Sequence, residues 1–205
     1  MDILLITPRL PYPPDQGCKI VMYNFMKFLS RRHNITLYSL MPTREDMKYI
    51  PELKKYCQRV EVVTMRPKWS FKNFLFALYR TDPYTSIKYY SPLLMRQLEI
   101  LLKRTRFDII QVEFYYMAQY ILRLRSFIPN STALFLDTHN VEYFMYKEYF
   151  YNVRNPALKL LMFLELSRIK NYERRVFNHF DRCLALLEVI RCDILEECQF
   201  LSSSI

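Results

Sequence analysis

Apolar positions along this chain alternate between short unbroken runs and a spacing of three or four residues. The runs DILLIT (2–7), NITLYSL (34–40), RVEVVTM (59–65), FDIIQVEF (107–114), ALFLDTHN (133–140) and RCLALL (182–187) have the length and aliphatic content of strands in a buried parallel sheet. Between the first two, Val21, Phe25, Phe28 and Leu29 recur at helical spacing across residues 19–32. A charge-rich helix is predicted over about 44–56, and two more over 70–80 and 91–104 with a turn at Pro83 between them. Another is predicted near 116–126. The longest pattern runs from Pro156 to His179, where Leu158, Met162, Leu166, Ile169, Tyr172 and Val176 step by three or four. Strand and helix in alternation predict an α/β fold: a Rossmann-like parallel sheet with helices on both faces and right-handed crossovers. One domain over 1–187 is expected, followed by a terminal helix and tail over 188–205.

Ligands of such sheets sit beyond the carboxyl ends of the strands. That rule selects three segments here: the loop after the first strand, QVEFYY after the fourth and DTHNVE after the fifth.

Composition sharpens the first of these. TPRLPYPPDQGCK, residues 7–19, holds four of the eleven prolines and the single glycine of the 205-residue chain, Gly17. A glycine just before a helix admits close approach of a ligand to backbone amides, or supplies a positive φ at the helix entry turn. Neither GxGxxG nor GxxxxGK[ST] is present, so a dinucleotide or P-loop site is not supported. The five cysteines and three histidines show no zinc-like spacing, and nothing points to a disulfide framework; a reduced, cytoplasmic setting is expected. The amino terminus lacks a cationic signal-peptide region, and no run reaches the length of a membrane span.

The formal charge of +10 is uneven: residues 66–106 carry nine Lys or Arg against Asp82 and Glu99. Lys68, Trp69, Lys72 and Arg80 head a basic, aromatic segment suited to an anionic membrane surface. The same composition also describes solvated helices with an aromatic core face. Nucleic acid is disfavoured as a partner, because the cations are dispersed and no binding signature accompanies them.

Taken together, ILLITPRLPYPPDQG with the following KI and MYN, then FDIIQVEFYYMAQYI, DTHNVE and YERRVFNHFDRCLAL, resemble the amino-terminal half of family 4 glycosyltransferases of the GT-B fold, the bacterial surface-polysaccharide type. The order and spacing match over nearly the whole chain. The resemblance implies an acceptor-binding domain facing a second domain that holds a nucleotide sugar, in a metal-independent retaining transferase with no cofactor. Sugar or lipid-linked acceptors and a separate carboxyl-terminal domain are the partners it implies; the basic, aromatic segment adds an anionic membrane surface at the inner face.

By the same resemblance His139 contacts the region of the reacting sugar, as a neutral imidazole donating to a hydroxyl or as a cap on the next helix. Asp137 and Asn140 bind hydroxyls or fix the turn, and Glu142 begins a helix, where the dipole favours a carboxylate. Glu113, Tyr115 and Tyr116 face the crevice in the expected sheet, offering a carboxylate and aromatic faces to an acceptor sugar, or else close the core. Arg9 and Lys19 flank the first loop and meet phosphate or solvent.

Three departures from the family pattern stand out. Cys18 occupies the second position of a usual glycine pair, which puts a side chain into the loop. Leu187 stands where serine is expected. The chain stops at Ile205, ahead of the family's donor-binding motif. A truncated or split transferase, inactive alone, is therefore expected, with a non-catalytic module for a membrane or lipid acceptor as the alternative.

Overall fold

The computed structural model describes residues 1–41, 43–65, 82–139 and 141–185. Six parallel strands form one sheet in the order β3-β2-β1-β4-β5-β6. They are β1 (Asp2–Thr7), β2 (Asn34–Met41), β3 (Arg59–Thr64), β4 (Ile109–Glu113), β5 (Ala133–Thr138) and β6 (Arg182–Ala185). This is the α/β Rossmann-like arrangement expected from the apolar pattern. The order reverses between β1 and β4, so the crevice for a ligand opens beyond their carboxyl ends.

Period-two alternation divides the core. Leu5, Ile35, Leu37 and Met41 pack on one face with Met26 of α1 (Gly17–Leu29), Leu53 of α2 (Ile50–Leu53) and Cys57. Leu4, Ile6, Tyr38, Leu40, Ile110, Val112, Leu134 and Leu136 pack on the other. That second face is covered by α4 (Pro92–Arg104), α5 (Ala118–Leu124) and the inner half of α7 (Pro156–His179).

Local chemistry explains several boundaries. Helix α4 starts at Ser91, whose hydroxyl accepts from the Leu94 amide, with Pro92 in the first turn where its missing N–H costs nothing. Asn155 starts α7 in the same way, accepting from the amides of Ala157 and Leu158, with Pro156 next. The helix expected over 44–56 is a 3-10 segment, Arg44–Tyr49, followed by the single turn of α2. The Asp46 carboxylate accepts from the Thr43 amide and hydroxyl at its start, and Pro51 lacks the N–H that would bond a preceding carbonyl. Pro83 precedes a short helix, α3 (Tyr84–Lys88). The helix expected over 116–126 divides into 3-10 turns at Tyr115–Met117 and Arg125–Phe127 around α5.

One helix is additional to the expectations: α6 (Glu142–Asn152), which forms a hairpin with α7. No side chain of Val141 caps it. Instead Glu173, a fully buried carboxylate on α7, accepts from the backbone amides of Glu142 and Tyr143 at 2.8 and 3.1 Å. Glu165, about two turns earlier on α7, accepts from the Tyr84 amide at the start of α3. The long helix thus supplies the negative charge that two other helix starts require.

The expected helix over 70–80, the basic aromatic residues Lys68, Trp69, Lys72 and Arg80, the last two residues of the sixth run and the tail all lie outside the described residues. No helix among the described residues is long and apolar enough to cross a membrane.

Candidate functional site

On β4 and β5 the face opposite the apolar one turns polar toward the carboxyl ends. Glu113 pairs in register with Asp137, so two carboxylates sit side by side on neighbouring strands. His139 follows Asp137 by two residues and returns to the same face. Thr7 and Ser39 pair in register on β1 and β2, and the Thr7 hydroxyl donates to the Ser39 hydroxyl at 2.8 Å with both residues fully buried. A polar row therefore crosses four strands at the end where ligands bind.

Within it, His139 Nε2 lies 3.0 Å from Glu113 Oε2. The Gln111 side-chain amide donates to Glu113 Oε1 at 2.8 Å. Asp137 Oδ1 is buried without a hydrogen-bond partner. Burial pushes the Asp137 carboxyl up, and the charge of Glu113 adds to it, to about 7 even with the opposing pull of His139. Burial disfavours the His139 imidazolium, but the hydrogen bond to Glu113 and the charges of Glu113 and Asp137 outweigh it and raise its pKa. The neutral imidazole expected from the sequence is thereby opposed: two carboxylates favour the protonated ring. Ligand atoms of Glu113, Asp137 and His139 lie within 4.8 Å of one another, a spacing able to hold a cation. The hydrogen bonds at Glu113 and the raised pKa of Asp137 describe a cluster in which burial and like charge oppose ionisation of Asp137.

Phe114 makes the sharp exit from β4. Its φ of 68° is in the left-handed region, a costly position for a phenylalanine, while its amide donates to the Asp137 carbonyl at 2.9 Å. The ring it places there tilts over His139 with centroids 4.5 Å apart. It also stacks on Tyr116 at 5.3 Å, and Tyr116 stacks on Tyr89 at 4.4 Å. Tyr89 in turn lines a cavity of about 250 Å³ beneath the first loop, together with Arg9, Tyr12, Gln16, Lys19 and Asp46. A continuous aromatic stack joins that cavity to the histidine.

Two expected acceptor contacts are corrected by this packing. Tyr115 is enclosed in the core, its hydroxyl on Thr85 and its ring edge-on to Tyr172, so it has no face for a sugar. Tyr116 is 6% exposed, with Phe114 and Tyr89 on its two faces. Both close the core, which is the second of the roles foreseen for them. Glu142 does begin a helix, and burial pushes its carboxyl up. Asn140 lies outside the described residues.

Gly17 is the first residue of α1 and has no positive φ, which removes the entry-turn explanation. A Cβ built on it meets nothing within 4 Å. The helix start is open: Gln16 gives no side-chain cap, and no acidic residue lies in the first turn. Cys18 is half-buried beside it and forms no disulfide. Arg9 donates to Gln16 Oε1 at 2.9 Å, and Lys19 pairs with exposed Asp15 at 2.9 Å.

Sequence reasoning thus reached Glu113, Asp137 and His139, and missed Gln111, Phe114, Tyr89 and Asp46. The repeated spacing of two in Gln111-x-Glu113 and Asp137-x-His139 was a usable signal for a polar strand face. Nothing in the sequence announces a positive φ at a phenylalanine.

No family model and no curated protein sequence matches the chain. Among solved structures it is similar to the N-terminal domain of Candida albicans trehalose-6-phosphate phosphatase, with a TM-score of 0.55 and 14% identity. The match covers 98% of this chain and 43% of that one, so this chain spans under half its length. At that identity the likeness shows the fold.

Proposed function

We propose that this chain is the acceptor-side, Rossmann-like domain of a retaining nucleotide-sugar glycosyltransferase of the GT-B type, acting on a cell-surface polysaccharide or lipid-linked acceptor. The observation that carries the reading is the His139–Glu113–Asp137 cluster at the carboxyl ends of β4 and β5, beside the reversal of strand order and joined by ring stacking to the cavity under the first loop.

Retaining sugar transfer develops positive charge at the anomeric carbon and negative charge on the departing diphosphate, with the acceptor hydroxyl held close by. In this reading Nε2 of His139 is committed to Glu113, which fixes the ring, and Nδ1 meets a sugar hydroxyl. The uncapped amides of Gly17 and its neighbours, with Arg9 and Lys19 alongside, favour a phosphate group at the start of α1. The nucleotide is held by a second domain, so the 205 residues alone transfer no sugar.

Calorimetry of the purified chain with UDP- and GDP-sugars, and with a short-chain prenyl diphosphate sugar, tests this. Binding of the prenyl diphosphate sugar, weakened at least tenfold by His139→Ala, is expected, with no binding of either nucleotide sugar. Tight binding of a nucleotide sugar by this chain alone, or indifference of the acceptor analogue to His139→Ala, overturns the reading.

A further inference from the structure

The hairpin of α6 and α7 is built unlike the rest of the molecule. Helix α6 reads EYFMYKEYFYN and buries none of its residues. Helix α7 buries nothing before Glu165. Yet Met145, Tyr149, Tyr151, Leu158, Leu160, Phe163 and Leu164 are all exposed, at 41% to 71%. Six other exposed large hydrophobic residues are scattered over the remainder of the described chain. Leu160, Phe163 and Leu164 share one face of α7 by their spacing, as do Met145 and Tyr149 on α6. Phe150 and Phe163 bring the two helices together, with ring centroids 6.5 Å apart. Tyr143 and Phe144 at the start of α6 pack against the core, but the outer part of the hairpin exposes apolar side chains that would ordinarily be buried.

The charges around this tip select its occupant. Lys147, Arg154 and Lys159 stand among the apolar residues, against one exposed carboxylate, Glu148. The Lys147 ammonium lies 5.8 Å from the Tyr143 ring centre, and that of Lys159 lies 5.1 Å from Phe150. The Lys170 ammonium also lies 4.9 Å from the Tyr143 ring centre. Cations held beside aromatic rings, with leucine, methionine and phenylalanine between them, are the composition of a surface that enters the headgroup region of an anionic bilayer. The cores of protein interfaces share the aromatics but are depleted in lysine.

We propose that the α6–α7 tip, residues 145–164, is a membrane-docking surface whose partner is the interface of an anionic lipid bilayer. Aromatic and aliphatic side chains enter the boundary between headgroups and acyl chains, and Lys147, Arg154 and Lys159 meet lipid phosphates. The proposal rests on residues other than Lys68, Trp69, Lys72 and Arg80, and it stands whether or not the sugar-transfer reading holds.

The test is co-flotation of the full chain with vesicles of phosphatidylcholine alone and of phosphatidylcholine mixed with phosphatidylglycerol. Three variants accompany the wild type: Tyr149→Ser/Leu160→Ser/Phe163→Ser, Lys147→Glu/Lys159→Glu, and Lys68→Glu/Lys72→Glu/Arg80→Glu. Circular dichroism and light scattering establish that each remains folded and in the same oligomeric state. Wild type is expected to float with the anionic vesicles and not the neutral ones. The apolar variant should lose partitioning by roughly tenfold or more, and the charge variant by roughly fivefold for each lysine at low salt. Failure of the wild type to float, or flotation lost only in the Lys68/Lys72/Arg80 variant, overturns the proposal. So does an apolar variant that changes a dimer to a monomer while floating as before, because the tip is then an interface between copies. A His139→Ala chain that floats normally but no longer binds the acceptor analogue separates this result from the fate of the functional reading.

Discussion

Two sets of buried carboxylates occupy this molecule, and they are treated differently. Glu173 is fully buried on α7 and accepts two backbone amides at the start of α6, so its burial is matched by donors already fixed in place. Glu113 and Asp137 are buried side by side on adjacent strands, share one histidine, and leave Asp137 Oδ1 without a donor. The first arrangement fastens one helix to another. The second keeps acids and a base close together at the ligand end of the sheet, with protonation finely balanced. Burial of charge alone therefore does not mark a site here; two acids and a base meeting at the carboxyl ends of the strands, with an oxygen left without a donor, do.

The largest expected effect comes from breaking the balanced cluster. His139→Ala leaves Glu113 buried without its counter-charge and should cost about 4 kcal/mol in urea unfolding, the range for one partner removed from a buried pair. A loss below about 1 kcal/mol would mean that the cluster is hydrated in solution. Glu173→Ala tests the other carboxylate: two amides lose their acceptor at roughly 1–3 kcal/mol each, for about 3 kcal/mol in all. Hydrogen exchange should localise that loss to α6, with acceptor binding at the crevice retained.

The pH profile sharpens the contrast further. Folded Asp137 has a pKa raised from 3.8 to about 7, and that of His139 is raised above 6.5, so the folded chain holds more protons than the unfolded one in this window. For His139, stability is fully present below pH 6.5 and is lost as pH rises through its folded value. For Asp137, stability is lost between about pH 4 and 7 as the unfolded carboxyl ionises and the folded one resists. Both push the same way: stability should fall by about 3 kcal/mol from pH 5 to pH 8. Thermal melts of Asp137→Asn across that range should be flatter than those of wild type; an equally steep fall would assign the dependence elsewhere.

The smallest effect concerns the lone glycine. Gly17→Ala should leave stability unchanged or raise it by about 0.5 kcal/mol, since no positive φ or close contact requires glycine there. If phosphate binds at the start of α1, the same substitution weakens acceptor binding in calorimetry, and unchanged affinity would remove Gly17 from the site.

All six strands lie where their apolar runs predicted them, within a few residues at either end, because inner strands buried on both faces are written as near-continuous runs, and β3 at the edge keeps three valines. The helix α6 was illegible for the opposite reason. With tyrosine, phenylalanine and methionine on every side, EYFMYKEYFYN has no polar face to set a period, and its start is fastened by Glu173, 31 residues away. The charge-rich stretch over 44–56 looked helical by composition, but the Thr43–Asp46 contacts and Pro51 divide it. At the site, DTHN and QVEF were readable as positions at strand ends. The enclosure of Tyr115 and Tyr116 was not, since it depends on partners at Thr85, Tyr89 and Tyr172 that only the tertiary packing brings near.

Helix α6 also sets the mechanics of the crevice. Residues 140 and 141 alone separate His139 from Glu142 at the start of its first turn, a tether that spans at most about 11 Å. The same turn is clamped to α7 by Glu173. Slack is therefore small between His139 and the hairpin, so any displacement of the first turn of α6 is passed on to His139.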